Sequence, residues 1–185
     1  AIVFMLVVLG PGYLSTILNV EIENLSIILI APAAIGMGIG AFVLGTFGKK
    51  FKLKHLSALG VLVSGIVFIL FPLGNRVTSY VFIQTINKLT PHILEINILH
   101  IIVLLAVIVG FAFSFIYIPS NATIQLETNA GIRGRIFGFL NALIGAVSFL
   151  PVALAGGLAD LFGVGIVIVS VGVIMIILSI VFFAF

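Results

Sequence analysis

The chain has 185 residues, 63% of them hydrophobic, with eight Lys and Arg against five Asp and Glu and a net charge of +3. Only 7% of its residues are charged, against roughly 25% in a soluble domain. A surface facing water cannot be built from so few, which excludes a soluble globular domain, a disordered chain and a nucleic-acid binder and leaves the bilayer as solvent.

A transmembrane helix needs about 20 mostly apolar residues, and six such runs follow one another along the sequence. The first covers 1–20, is interrupted by Pro11-Gly12, and ends at Glu21, Glu23 and Asn24. It begins at Ala1 with no basic segment before the apolar run and no cleavage site after it. It therefore reads as a chain lacking its N-terminal part, not as a signal peptide. The second covers 26–47, with Pro32 in its first third. The basic cluster Lys49, Lys50, Lys52, Lys54 and His55 follows in the loop 48–55. The third covers 56–73. A long outer segment, 74–97, contains Tyr80-Val81-Phe82-Ile83, which fits either a short interfacial helix or an early start of the next helix. The fourth run covers 98–118 and ends at Pro119, and a polar loop, 119–135, carries Asn121, Gln125, Glu127, Arg133 and Arg135. The fifth covers 136–159 with Pro151 inside, and the sixth 164–185. Barrel strands are about 10 residues long and alternate apolar with polar. These runs are longer and do not alternate, so the expected fold class is an all-α membrane protein with six transmembrane helices.

The loops after the second and fourth runs lie on one side and hold six of the eight basic residues. Glu21, Glu23 and Asp160 fall on the other side. The positive-inside bias makes the basic side, and with it both chain ends, cytoplasmic.

Small residues recur at helical spacing. Gly134, Gly138, Ala142 and Ala146 share one face of the fifth run, and Gly36 and Gly40 one face of the second. Such faces let another helix come close. Static packing and a surface that slides during conformational change both fit. The prolines Pro11, Pro32, Pro119 and Pro151 kink helices or break them, as transporters do at binding sites. Polar side chains at membrane depth include Ser15, Thr16, Asn19, Ser114, Tyr117, Asn141 and Ser148. Each fits an interhelical hydrogen bond or a weakly polar cavity wall.

No Asp, Glu, Lys or Arg lies in the middle of a run, so the usual mark of a proton relay is missing. There is no Cys and hence no thiol chemistry. His55, His92 and His100 do not pair at helical spacing, and no Ser–His pair lies within the runs. Neither a metal site nor an enzyme is expected.

The stretch Pro119-Ser120-Asn121-Ala122-Thr123-Ile124-Gln125 is followed by Arg133-Gly134-Arg135-Ile136-Phe137-Gly138. Leu150-Pro151 and Ala155-Gly156-Gly157-Leu158-Ala159-Asp160-Leu161-Phe162-Gly163 come after. This order resembles the C-terminal half, helices seven to twelve, of a major facilitator superfamily transporter of the efflux-type branch. The family's loop motif, Gly-x-x-x-Asp-Arg-x-Gly-Arg-Arg, has a degenerate copy here. Gly45, Lys50 and Lys54 match its first Gly and two basic positions, while Lys49 replaces the Asp and Lys52 the second Gly.

The resemblance implies one six-helix bundle made of two inverted three-helix repeats, in a bacterial cytoplasmic membrane. It implies export of small amphipathic or apolar compounds by alternating access, with no cofactor and with an N-terminal six-helix half as partner. In that architecture the third and sixth helices lie away from the cavity, so its wall is expected at Tyr13, Thr16, Tyr117 and Asn141. The cytoplasmic gating loops would use Gly45, Lys50, Lys54, Glu127, Arg133 and Arg135, with Glu127 folded back onto either Arg across the turn at Asn129 and Gly131. Gly36, Gly40, Gly134, Gly138, Ala142 and Ala146 would pack helices. The competing expectation is a stand-alone six-helix membrane protein, either an assembly subunit or an intramembrane enzyme. Six further spans upstream of Ala1 would favour the first, and a Met immediately before it the second.

Overall fold

The computed structural model describes residues 9–10, 12–13, 26–48, 53–77 and 98–184. A π-helical turn, Ser26–Ile30, leads into α1, Ala31–Phe47. The others are α2, Leu53–Val77, α3, Ile98–Glu127, α4, Arg133–Phe162, and α5, Val164–Ala184. All five are long and apolar enough to cross a membrane, and no strand occurs among the described residues. The described residues are all helical but for the short 128–132 turn and Gly163, and their five apolar spans mark the chain as an integral membrane protein. The expected first span lies outside the described residues except for Leu9, Gly10, Gly12 and Tyr13, as does most of the outer segment with its expected interfacial helix.

The prolines decide where the helices begin and bend. Pro32 has no N–H to offer the preceding turn. The wider π turn before it takes up that loss, and α1 proper starts at Ala31. Pro119 was the expected end of the fourth span, yet α3 runs on to Glu127. Ser120, Asn121 and Thr123 donate side-chain hydrogen bonds to the carbonyls of Ile116, Tyr117 and Pro119 at 2.6, 2.7 and 3.0 Å. These bonds reinforce the turns around Pro119, whose missing N–H leaves the Phe115 carbonyl, and none of these three, without its helical donor. Gly163 ends α4 at φ +89°, a conformation suited to glycine, and its N–H returns to the Ala159 carbonyl at 2.9 Å.

Glycine determines which helices touch. A Cβ on Gly36 would strike the Val107 carbonyl, one on Gly40 the Ser114 hydroxyl, and one on Gly110 the Ala33 carbonyl. These contacts hold α1 parallel to α3 with their backbones in close approach. Gly60 does the same for α2 against Ala112 and Ile116 of α3. Gly65 and Gly172 face each other where α2 and α5 cross. Lower on the same pair, Ser179 Oγ donates to the Ala58 carbonyl at 2.7 Å, so α2 and α5 run antiparallel. The core between them holds Val67, Phe68, Phe71, Ile102, Leu105, Val109, Val167 and Ile168.

Helix α4 stands apart. Only 11% of its span is buried, against 44% for α2. Of the described helices it packs on α5, and its buried side chains are Ser148 and Ala155. Because the helices alternate in direction, the α1–α2 and α3–α4 connections share one end of the bundle. That end carries Lys54, Arg133 and Arg135, while Asp160 and Gly163 lie at the other.

Candidate functional site

Of the four expected cavity residues, three are described, and they line no common cavity. Tyr13 is buried, its hydroxyl donating to the Phe71 carbonyl at 2.5 Å and its ring set edge-on to Phe71 at 5.6 Å. The cavity beside it is about 20 Å3, room for no more than a water. Tyr117 is exposed on α3, stacked on Phe113 one turn earlier. Asn141 is exposed on α4. Thr16 lies outside the described residues.

Of the polar residues expected to bond between helices or to line a cavity, Ser114 bonds within its own helix, as Ser170 and Thr46 also do. Ser114 Oγ donates to the Phe111 carbonyl at 2.7 Å, Ser170 Oγ to Ile166 at 2.9 Å, and Thr46 Oγ1 to Val43 at 3.0 Å. A hydroxyl satisfied by its own helix needs no partner in hydrocarbon. Ser179 is one that crosses to a neighbour.

The open space lies alongside α4 instead. A groove of about 570 Å3 runs between α2, α3 and α5, closed on one side by Pro151. A second, of about 420 Å3, separates α4 from α5 and includes Pro151, Leu154, Leu158 and Ser170. Neither is lined by Tyr13, Tyr117 or Asn141. Sequence reasoning passed over the first groove because it lies on the third and sixth spans, which are poor in polar groups. The available signal was Ser57 and Ser179, small polar residues near the ends of otherwise apolar helices.

At the basic end, Lys54 Nζ sits 5.8 Å from the centre of the Phe182 ring, and the His55 ring stacks on Phe183 at 5.8 Å. Arg133 donates to the carbonyls of Gln125 and Thr128 at 2.9 and 3.2 Å. Its guanidinium therefore caps the exposed C-terminus of α3, where carbonyls lack helical donors, and no ion pair joins it or Arg135 to Glu127. The Asn129–Ile132 turn brings Arg133 against the end of α3 instead of its last carboxylate. Lys50 lies outside the described residues, and Gly45 is exposed.

Of the six small residues expected to pack helices, Gly36 and Gly40 do so. A Cβ on Gly134 or Gly138 would meet nothing within 4 Å among the described residues, and Ala142 and Ala146 are exposed. No family model, curated protein or solved structure matches this chain.

Proposed function

We propose that the chain is one six-helix bundle of a secondary transporter, of the major facilitator type, that exports small amphipathic or apolar compounds by alternating access. It sits in a bacterial cytoplasmic membrane with the basic end inward, and works with a second six-helix half.

The observation carrying this reading is the pairing of helices. Counting the first run, α2 and α5 are the third and sixth spans, and α1 and α3 the second and fourth. Inverted repeats exchange the first three spans with the last three. Under that exchange the antiparallel α2–α5 pair, crossing at Gly65 and Gly172, returns to itself. The α1–α3 pair maps onto α4 and the first span. The unpartnered face with Gly134 and Gly138 is then the counterpart of Gly36 and Gly40. A Cβ on Gly12 would stand 3.1 Å from Val164 of α5, in keeping with a first span beside the sixth, as the fourth lies beside the third.

The test is flux. The six-helix bundle together with its second half, reconstituted in proteoliposomes loaded with a lipophilic fluorescent amine, is expected to move the dye faster than protein-free vesicles when a pH gradient is imposed. Equal rates with and without protein, in both gradient directions and across several amphipathic dyes, would count against transport.

A further inference from the structure

The groove between α2, α3 and α5 ends at the basic rim of the bundle. Phe182 lines its mouth together with Ser57, one turn into α2. The same Phe182 ring lies beneath the ammonium of Lys54 at 5.8 Å. Further along, Val61, Leu178 and Ile116 make the walls, and Pro151 faces them. The hydroxyl of Ser179 is committed to the Ala58 carbonyl at 2.7 Å, and that of Ser120 to Ile116 at 2.6 Å. The groove thus offers hydrocarbon along its length and a cation at one end. At about 570 Å3 it falls within the roughly 300–1,000 Å3 of small-molecule sites.

We propose that this groove binds an anionic phospholipid of the bilayer, its phosphate at Lys54 and one acyl chain along the groove towards Pro151. Charge complementarity selects the occupant. An apolar molecule would leave Lys54 without a counter-charge, and a free phosphate would leave the apolar walls uncovered. Lys49, Lys50 and Lys52 precede Lys54 in sequence, and the first turn of α2 presents the positive end of its helix dipole. His55, stacked on Phe183, adds a ring donor beside the rim. Arg133 and Arg135 stand at the same end of the bundle, with Glu127 the acidic residue there, so the rim is positive in sum. Each Lys near an anionic membrane surface contributes about 1 kcal/mol, or about fivefold in affinity. The site rests on membrane insertion alone, not on transport, because α2 and α5 are the helices that the transporter reading sets away from the cavity.

Delipidated protein in detergent is titrated with phosphatidylglycerol and with phosphatidylcholine of matched chains, followed by native mass spectrometry and melting temperature. Phosphatidylglycerol is expected to bind and stabilise, and phosphatidylcholine to bind at least fivefold more weakly. Lys54→Gln, a change at an exposed position, is expected to melt like the parent without lipid and to lose about fivefold in affinity for phosphatidylglycerol, with Lys54→Arg restoring it. Ser57→Phe, which fills the mouth, is expected to abolish the preference, and glycerol 1-phosphate without a chain to give no stabilisation. Equal binding of the two lipids would overturn the proposal. So would parental affinity in Lys54→Gln, or a shift with glycerol 1-phosphate as large as with the whole lipid.

Discussion

Gly65 and Gly172 meet backbone to backbone. A Cβ on Gly65 would stand 2.9 Å from the Gly172 carbonyl oxygen, and one on Gly172 would stand 2.7 Å from that of Gly65. Both obstacles are main-chain atoms, which cannot swing aside as a side chain would. The crossing of α2 and α5 therefore has no room for a methyl group, and α5 is otherwise held to α2 mainly by apolar contact.

Gly172→Ala and Gly65→Ala should each force the two helices apart. Overpacking of this kind costs about 1–3 kcal/mol, more than alanine gains over glycine in helix propensity. The expected result is a clear fall in detergent melting temperature for each. Gly145→Ala on α4, where a Cβ meets nothing within 4 Å, should melt at or above the parent. An unchanged melt for Gly172→Ala would mean that α2 and α5 do not cross there.

Ser179 and Ser64 are both buried, but only one has a partner. Ser179 Oγ bonds to the Ala58 carbonyl across the α2–α5 interface, whereas Ser64 Oγ, fully enclosed, bonds to nothing. Interhelical hydrogen bonds in membrane proteins average about 0.6 kcal/mol. Ser179→Ala should lower the melting temperature by that modest amount. Ser64→Ala removes an unsatisfied group and should leave stability unchanged or raised. A larger loss in Ser64→Ala than in Ser179→Ala would reverse this assignment.

Much of the fold was legible because hydrophobic length is a strong signal in a chain with few charges. The runs at 26–47 and 164–185 overlap α1 and α5 because glycine and valine-rich stretches there have no polar break. Pro119 misled for a physical reason. Its missing N–H frees one carbonyl, that of Phe115, but a helix packed among others in a membrane runs on through such a break, and Ser120, Asn121 and Thr123 add side-chain bonds to the turns around it. The site was less legible. Tyr13 and Ser114 look alike as polar residues in apolar runs, yet Tyr13 bonds to another helix and Ser114 to its own. Spacing along one chain does not encode that choice. Lys54 and Phe182 are far apart in sequence, and the antiparallel register of α2 and α5 alone brings them together.

Arg133 is placed to cap α3, not to pair with Glu127. The guanidinium reaches the carbonyls of Gln125 and Thr128. Arg133→Ala should therefore fray the end of α3, at an exposed site where the cost is about 1 kcal/mol or less. Melting temperature and expression should stay near normal, while amide exchange at 124–128 quickens. Glu127→Gln should change neither. Faster exchange in Glu127→Gln, equal to that in Arg133→Ala, would restore the ion pair.

The alternation of the helices fixes the sidedness of the loops. Single cysteines at Lys54 and Arg133 should react with a membrane-impermeant maleimide from the same side of the membrane, and one at Asp160 only from the other. On the positive-inside bias the first two should label only after the cells are opened. Labelling of Lys54 and Asp160 positions from one side would be incompatible with an odd number of crossings between them.

The last prediction concerns the bare face of α4. A Cβ on Gly134 or Gly138 would meet nothing within 4 Å among the described residues, so it strikes none of α1, α2, α3 and α5. If the inverted repeat pairs this face with the first span, Leu at position 138 would hold that span away, as a Cβ at Gly36 would drive α1 from α3. States of a transporter differ by only a few kcal/mol, so a shift in helix packing of even 1–2 kcal/mol, roughly 5- to 30-fold in population, is enough to change which state dominates. Gly138→Leu should therefore cut flux severely. Gly157→Leu, also open but on another face of the same helix, should leave flux within about twofold of the parent. The measurement is dye flux in proteoliposomes for both variants, normalised to the amount of folded protein inserted. Parental flux in Gly138→Leu would put the small-residue face against lipid and remove the pairing of α4 with the first span on which the repeat symmetry depends.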